Sequence, residues 1–418
     1  MGIREDVIKI AEIAKKASRK LANIESAVKN DALVKMAEAI DRNTGEIQKK
    51  NKTDLEAAEK AGLSKALIDR LGLSEKRIKS MADGLREVAR MKDPIGEIIG
   101  EVLLKNGLLI KKVRVPMGVI GIVYESRPDV TCDSAGLCLK AGNAVVLRGG
   151  SEAINSNMII VRIIEEAALK EGIPEGAIGL VSTTDREAVK VMVKLDQCID
   201  MIILRGSEKM IGDISQGATV PIMRHGKGLC HIYVDEYADV MKSENICFNA
   251  KVQRPGVCNA METLLVHKSI AEKFLPGMIN KFKTAGVEIR GDEKTREIVN
   301  DLKQAVDEDW STEYLDLILS VKIVDGFYEA IEHITKYGSG HSDAIVTENK
   351  DRAEEFLAMI DSAAVYWNAS TRFTDGGQFG MGAEIGISTQ KSHARGPMGI
   401  KELTSIKYKI YGNGQVRE

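Results

Sequence analysis

Apolar positions change their period along the chain. From residue 1 to about 90 they recur with helical spacing. Ile8, Ala11, Ile13 and Ala14 form one group; Leu33-Val34, Ala37 and Ala39-Ile40 form a second; Ala66-Leu67-Ile68 and Leu71 form a third. Asp93-Pro94 closes this region. Two β-rich runs between Ile98 and Val115 then flank Asn106-Gly107, which predicts a hairpin with both turn residues at positive φ. Such a ribbon is marginal on its own, so it is expected to pack on something, as an arm against another subunit or as a surface hairpin closed on its own domain.

From Val119 the pattern alternates strand and helix. Val119–Val123, Ala144–Leu147, Ile178–Val181, Met201–Leu204 and a weaker run, Val220–Met223, are separated by helical stretches such as Ala153–Leu169 and Arg186–Leu195. A second series has strands at His231–Val234, Thr263–Val266, Val287–Ile289, Leu317–Val324, Ala344–Val346 and Ala363–Trp367. Continuous apolar strands between amphipathic helices define an α/β class with parallel sheets covered on both faces. Two such domains are expected, joined near residues 224–230, with ligands at the carboxyl ends of the strands. Ser370–Gly399 is Gly-rich and polar. Thr404–Tyr411 alternates like an edge strand and can pair with the ribbon or with a neighbour.

Composition narrows the function classes. The 418 residues carry a formal net charge of −2 and only 4% aromatics, so nucleic acid is not an expected partner. No apolar run approaches the ~18 residues of a membrane span, and the first residues do not form a secretory signal. Cys132, Cys138, Cys198, Cys230, Cys247 and Cys258 are scattered with no CxxC pair, which disfavours zinc and fits a reducing, cytoplasmic compartment. His267, His333, His341 and His393 show no metal spacing, so no metal is expected.

Chemistry concentrates in a few stretches. Cys258 lies in the Pro-Gly turn Gln253-Arg254-Pro255-Gly256-Val257-Cys258-Asn259, ahead of an apolar strand. Arg254 and the turn amides suit a nucleophilic thiol and an oxyanion; a buried structural thiol fits the same spacing. Arg148-Gly149-Gly150-Ser151 joins a strand to a helix and suits a phosphorylated ligand, although it is not the GxGxxG fingerprint. If the ligand is a dinucleotide, Arg148 and Ser151 favour the 2′-phosphate of NADP, with Glu152 opposing. Gly206-Ser207 repeats the arrangement, with Ser207 as an N-cap facing a pyrophosphate or simply as a cap. Arg127, Arg224 and His225 are candidate anion-binding groups, or else surface ion pairs and a solvated hinge.

Taken in order, Gly118–Pro128, Lys140–Gly150, Gln253–Glu262 and Thr371–Gly386 make the chain resemble the aldehyde dehydrogenase superfamily over nearly its whole length, and in particular its branch that reduces an acyl phosphate. The resemblance implies an aldehyde dehydrogenase-like α/β fold. A cofactor-binding domain would span 1–96 and 116–229, oligomerisation arms 97–115 and 400–418, and a catalytic domain bearing Cys258 230–399. It implies Cys258 as nucleophile and Arg148, Gly149, Ser151, Gly206, Ser207 and Glu313 around NADPH. It also implies L-glutamyl 5-phosphate as substrate on a route to proline, a homo-oligomer, and a glutamate 5-kinase as a possible partner. Oxidising members carry a Glu base where this chain reads Met223-Arg224-His225-Gly226, and a Trp-Asn oxyanion donor where it reads Glu125-Ser126. Ser126 and Asn259 are therefore candidate oxyanion donors. Arg127, Arg224 and His225 are candidates for the phosphate, and Asn368, Ser370 and Thr371 for the α-amino acid end. An oxidising aldehyde dehydrogenase and a thiol hydrolase are the alternatives.

Overall fold

The computed structural model describes residues 2–206, 208–224 and 226–417, without the side chains of Lys65, Ala66 and Glu208. The chain divides into two compact units. One holds Met1–Arg224, Gly380–Gly386 and Met398–Glu418; the other holds His225–Phe379 and Ile387–Pro397. The stretch Gly380–Gly386 joins the first unit through main-chain bonds, Ile385 N–H to Met398 O and Met398 N–H to Gly386 O, each 2.8 Å.

In the first unit the helices Ile3–Leu21, Ser26–Arg42, Thr44–Lys60, Lys65–Leu71 and Glu75–Arg90 precede the strands. Helix Ile3–Leu21 buries Val7, Ala11, Ala14, Ala17 and Leu21. The buried line is therefore Val7–Ala11–Ala14, and Ile8 and Ile13 lie at its margins. Helix Thr44–Lys60 is mostly polar and buries Asn51 and Asp54 together with Ile47 and Ala58. Its sequence carries no clean apolar stripe because part of its buried face is polar.

Strands β1 (Ile98–Leu103) and β2 (Leu109–Pro116) form the expected antiparallel ribbon, and the C-terminal strand Thr404–Tyr411 pairs with β2 from Thr404↔Pro116 to Tyr411↔Leu109. The turn is wider than the two-residue form expected. Leu104 and Leu108 still pair, Gly107 N–H returns to Leu104 O at 2.9 Å, and of the Asn-Gly pair only Gly107 has positive φ, 88°. Asn106 instead accepts from Leu108 N–H through its side chain at 3.2 Å. This is a turn followed by one left-handed residue.

Among the described residues the remaining strands of the first unit are β3 (Val119–Tyr124), β4 (Ala144–Gly149), β5 (Ile178–Leu180), β6 (Met201–Arg205) and β7 (Ile222–Arg224). They form one parallel sheet in the order β5-β4-β3-β6-β7. The order reverses direction beside β3, which leaves a crevice at the carboxyl ends of β3, β4 and β6.

The second unit contains β8 (Cys230–Val234), β9 (Met261–His267), β10 (Glu288–Gly291), β11 (Lys303–Gln304), β12 (Ile318–Val324), β13 (Ser342–Val346) and β14 (Ala364–Trp367). Their order is β11-β10-β12-β9-β8-β13-β14, all parallel. The core on one face packs β8, β9 and β12 against Phe274, Met278 and Phe282 of helix Lys268–Thr284. Among the described residues no helix is long and apolar enough to cross a membrane.

His333 is buried in this unit beside the rings of Tyr337 (4.7 Å), Trp310 (5.3 Å) and His231 (5.6 Å). Burial first, then His231, Lys322 and Lys336, push its pKa down from 6.5 to about 2. The folded state therefore stays neutral here while the unfolded chain takes a proton below about pH 6.5. Stability should fall by about 1.4 kcal/mol per pH unit as pH drops from 6.5 toward 4. Urea melts of wild type and His333→Phe at pH 7 and pH 5 test this, since the variant should lose that part of the slope.

Candidate active site

Cys258 lies in the turn between helix Val240–Val252 and β9, in the second unit. This is the amino-terminal edge of the second sheet, so the rule that ligands gather at carboxyl ends does not extend to it. Gly228, just before β8, packs directly on the Cys258 main chain; a β-carbon there would overlap the Cys258 carbonyl and Cα. Only glycine permits this approach. The Gly228 N–H donates to Glu313 Oε1 at 2.8 Å. Glu313 is half-buried and bonded, not the exposed strand-edge acid that its local sequence suggests. Beneath the turn, the fully buried Cys230 thiol donates to Cys258 O at 3.2 Å, and burial pushes its pKa well above the ordinary thiol value.

The other side of the turn is held by the segment after β14. Asn259 Nδ2 donates to Thr374 O at 2.8 Å, and Asn259 O accepts from Thr371 Oγ1 at 2.7 Å. Arg372 Nη1 donates to Asn259 Oδ1, and Arg372 Nε donates to Gln253 Oε1 at 2.9 Å. Thr374 is fixed in turn by Ser342 and Tyr366, each at 2.6 Å. The Asn259 side chain is thus a brace between two loops, and its amide N–H is directed at a carbonyl. Arg372 lies within the Thr371–Gly386 stretch, but its side-chain partners Gln253 and Asn259 are more than 110 positions away, so no local pattern marks it.

The candidates for the α-amino acid end serve local turns. Asn368 accepts from Thr347 N–H at 3.0 Å and donates to Thr347 O at 2.9 Å, beyond the carboxyl end of β13, with a left-handed φ of 55°. Ser370 Oγ accepts from Arg372 N–H at 3.3 Å, and Thr371 is the one beside Asn259.

In the first unit, Ser126, Arg127, Arg148, Gly149, Ser151 and Gly206 gather at or just beyond the carboxyl ends of β3, β4 and β6. Ser126 has a left-handed φ of 48°, and its N–H and hydroxyl donate to Glu152 Oε1 at 2.5 and 2.8 Å. Its hydroxyl proton is therefore committed to a carboxylate, which is a physical obstacle to the oxyanion role. Arg148 is buried, Nη2 donates to Thr184 O at 3.0 Å, and Nε has no hydrogen-bond partner. Burial lowers its pKa. Ser151 is exposed at the start of a short helical turn.

The anion site expected at the helix after Gly149-Gly150 is already filled by the protein. Asp54 accepts from the N–H groups of Asn155 (3.2 Å) and Ser156 (2.8 Å) and from both side chains. A buried carboxylate thus takes the first turn of helix Ile154–Lys170, as the helix dipole favours. Gly206 opens the other βα turn, where a β-carbon would meet Met210 and Glu125. Ser207 and His225 lie outside the described residues.

Two parallel α/β sheets, with a glycine-seated thiol at the amino edge of the second, define an aldehyde dehydrogenase architecture. Residues 1–305 match the aldehyde dehydrogenase family, and the chain belongs to it. Within that family it belongs with the gamma-glutamyl phosphate reductases. The reductase of Caldanaerobacter subterraneus subsp. tengcongensis is 60% identical over 98% of this chain and 99% of its own length. That of Halothermothrix orenii is 56% identical over 100% of both. The crystal structure of gamma-glutamyl phosphate reductase from Thermotoga maritima, 49% identical, superposes with a TM-score of 0.97 over 99% of this chain and 100% of that one.

Proposed function

We propose that the protein reduces L-glutamyl 5-phosphate to L-glutamate 5-semialdehyde and inorganic phosphate in L-proline biosynthesis, with Cys258 as nucleophile and NADPH as reductant. The carrying observation is the seating of Cys258. Its turn is held from one side by Gly228 and Glu313, and from the other by Arg372, Asn259 and Thr371. A thiol held this rigidly can attack an acyl carbon along one line.

The chain's own groups divide the work as follows. The Cys258 sulfur forms a bond to the acyl carbon, and the electron pair of the broken C–O bond leaves with phosphate. Main-chain N–H groups of the turn hold the tetrahedral oxyanion, because the side-chain donors of Ser126 and Asn259 are directed at Glu152 and Thr374. Arg127, Arg224 and His225 are the candidates for the charge of the anionic substrate and Ser370 and Thr371 for its α-amino acid end, whereas the Asn368 side chain is bonded to Thr347 beyond the carboxyl end of β13, away from the edge that carries Cys258. When bound, the nicotinamide dinucleotide supplies the hydride that reduces the Cys258 thioester.

The residues fit such a cofactor. The unpartnered Nε of Arg148 suits a 2′-phosphate, with Ser151 nearby. Asp54 occupies the first helix N-terminus, so the pyrophosphate is assigned to Gly206-Ser207. Glu313 is assigned to the nicotinamide ribose. Arg148→Leu should lower kcat/KM for NADPH at least about tenfold while leaving NADH almost unchanged; a wild-type preference for NADH would refute this assignment.

We assign the exposed strands β1 and Thr404–Tyr411 to homo-oligomer contacts, because Leu103 is 70%, Tyr408 58% and Ile410 61% exposed. A glutamate 5-kinase would supply the labile acyl phosphate, and a reducing cytoplasm would keep the thiols free.

The functional reading is tested in reverse. With the semialdehyde and NADP⁺, wild type should form NADPH only when inorganic phosphate is present. Phosphate-independent acid production would instead identify an oxidising aldehyde dehydrogenase.

A further inference from the structure

We infer that Arg372 and Arg254 form the seat for the phosphoryl group that leaves when Cys258 attacks. This rests on the reading of the reaction given above and names the binding site within it.

Arg372 lies in the short helical turn Thr371–Phe373 and is half-buried. Its guanidinium is aimed but not neutralised. The two bonds that fix it go to neutral amide oxygens, Gln253 Oε1 and Asn259 Oδ1, which lie on the turn that carries Cys258. Among the described residues neither Arg372 nor Arg254 forms an ion pair with a carboxylate. Arg254 is exposed on the same turn, and its charge reaches Arg372 closely enough to disfavour the charged form there, second only to burial; Cys258 and Asp375 act in the opposite sense. Two guanidinium groups on and beside the Cys258 turn concentrate positive charge there, which favours an anion between them.

The chemistry selects the phosphoryl group as that anion. In an acyl phosphate the phosphorus is one oxygen removed from the carbon that Cys258 attacks. The α-carboxylate lies at the other end of the glutamyl chain. A phosphate presents paired oxygens to a guanidinium fork in a way that a lysine ammonium does not reproduce. The amide oxygens of Gln253 and Asn259 fix the plane of Arg372, so the cation is oriented before substrate arrives. As the C–S bond forms and the C–O bond breaks, negative charge grows on the departing phosphate oxygen, and the arginine pair stabilises it.

The experiment uses the reverse reaction of the full-length protein: semialdehyde, NADP⁺ and inorganic phosphate, with Arg372→Gln, Arg372→Lys and Arg254→Gln. The KM for phosphate should rise about tenfold or more in both glutamine variants, and Arg372→Lys should recover only part of it. The KM values for semialdehyde and NADP⁺ should stay within about twofold of wild type. Phosphate should protect Cys258 from iodoacetamide in wild type and not in Arg372→Gln. If Arg372→Gln fails to fold, Arg254→Gln carries the test, because its side chain is exposed. A raised KM for the semialdehyde with unchanged KM for phosphate would assign the pair to the α-carboxylate and overturn the inference. Unchanged KM values throughout would also overturn it. If wild type itself turns over without phosphate, the functional reading fails; if wild type needs phosphate and the variants keep its KM, only this inference fails.

Discussion

If Cys258 is the nucleophile proposed above, Cys258→Ala should abolish turnover in both directions, by about 10⁴-fold or more, while the protein still binds its nicotinamide cofactor. The expected loss follows from the role proposed for the sulfur, since Cys258 is the one thiol on the turn Gln253–Asn259. Cys230 lies directly beneath, but it is fully buried, its thiol is held on the Cys258 carbonyl, and its ionisation is pushed far out of range. It cannot stand in. Cys258→Ser should fail as well, because a hydroxyl is a far weaker nucleophile than a thiolate at neutral pH. Fluorescence titration with NADPH separates chemistry from folding: both variants should keep a wild-type Kd. Normal turnover by Cys258→Ala would sink the mechanism.

Much of the fold is legible because it is written in local periodicity. The apolar runs of both series become parallel strands, and Thr404–Tyr411 is a strand over the span that its alternation predicts. Asn106-Gly107 marks the ribbon, although the turn differs because the Asn106 side chain bonds forward to Leu108 and leaves only Gly107 left-handed. Helix Thr44–Lys60 escapes a periodicity reading because Asn51 and Asp54 belong to its buried face.

The site is less legible, since its decisive contacts join distant positions. Nothing near Glu313 indicates that its carboxylate takes the N–H of Gly228, and nothing near Gly228 indicates that Cys258 lies against it. Asp54 lies about a hundred residues before the helix N-terminus that it fills. A Gly-Gly turn followed by a helix reads as an anion site, and that reading is physically sound. The anion there is the protein's own.

The second large effect concerns the ends of the cysteine turn. Lys251 closes helix Val240–Val252, Glu262 is the second residue of β9, and Cys258 lies between them. Lys251 Nζ and Glu262 Oε2 are 2.6 Å apart with 0% and 1% side-chain exposure. Glu262 Oε1 also accepts from Leu315 N–H at 3.1 Å, and the ammonium faces the Tyr314 ring at 5.9 Å. Burial pushes Glu262 up to about 7 and Lys251 down, and their contact opposes both shifts. Lys251→Met alone strands a buried carboxylate and should cost about 3–5 kcal/mol in denaturant unfolding. Lys251→Met with Glu262→Leu removes both charges at similar volume, and should recover most of that loss. Activity distinguishes two roles for the pair. If it only fills space, the stable double variant regains kcat. If it sets the span of the turn, the double variant folds but stays slow, because Cys258 is no longer held against Gly228. We expect the second result, since a carboxylate that also fixes Leu315, two residues beyond Glu313, ties the thiol turn to the segment carrying Glu313 in a way that an apolar pair cannot.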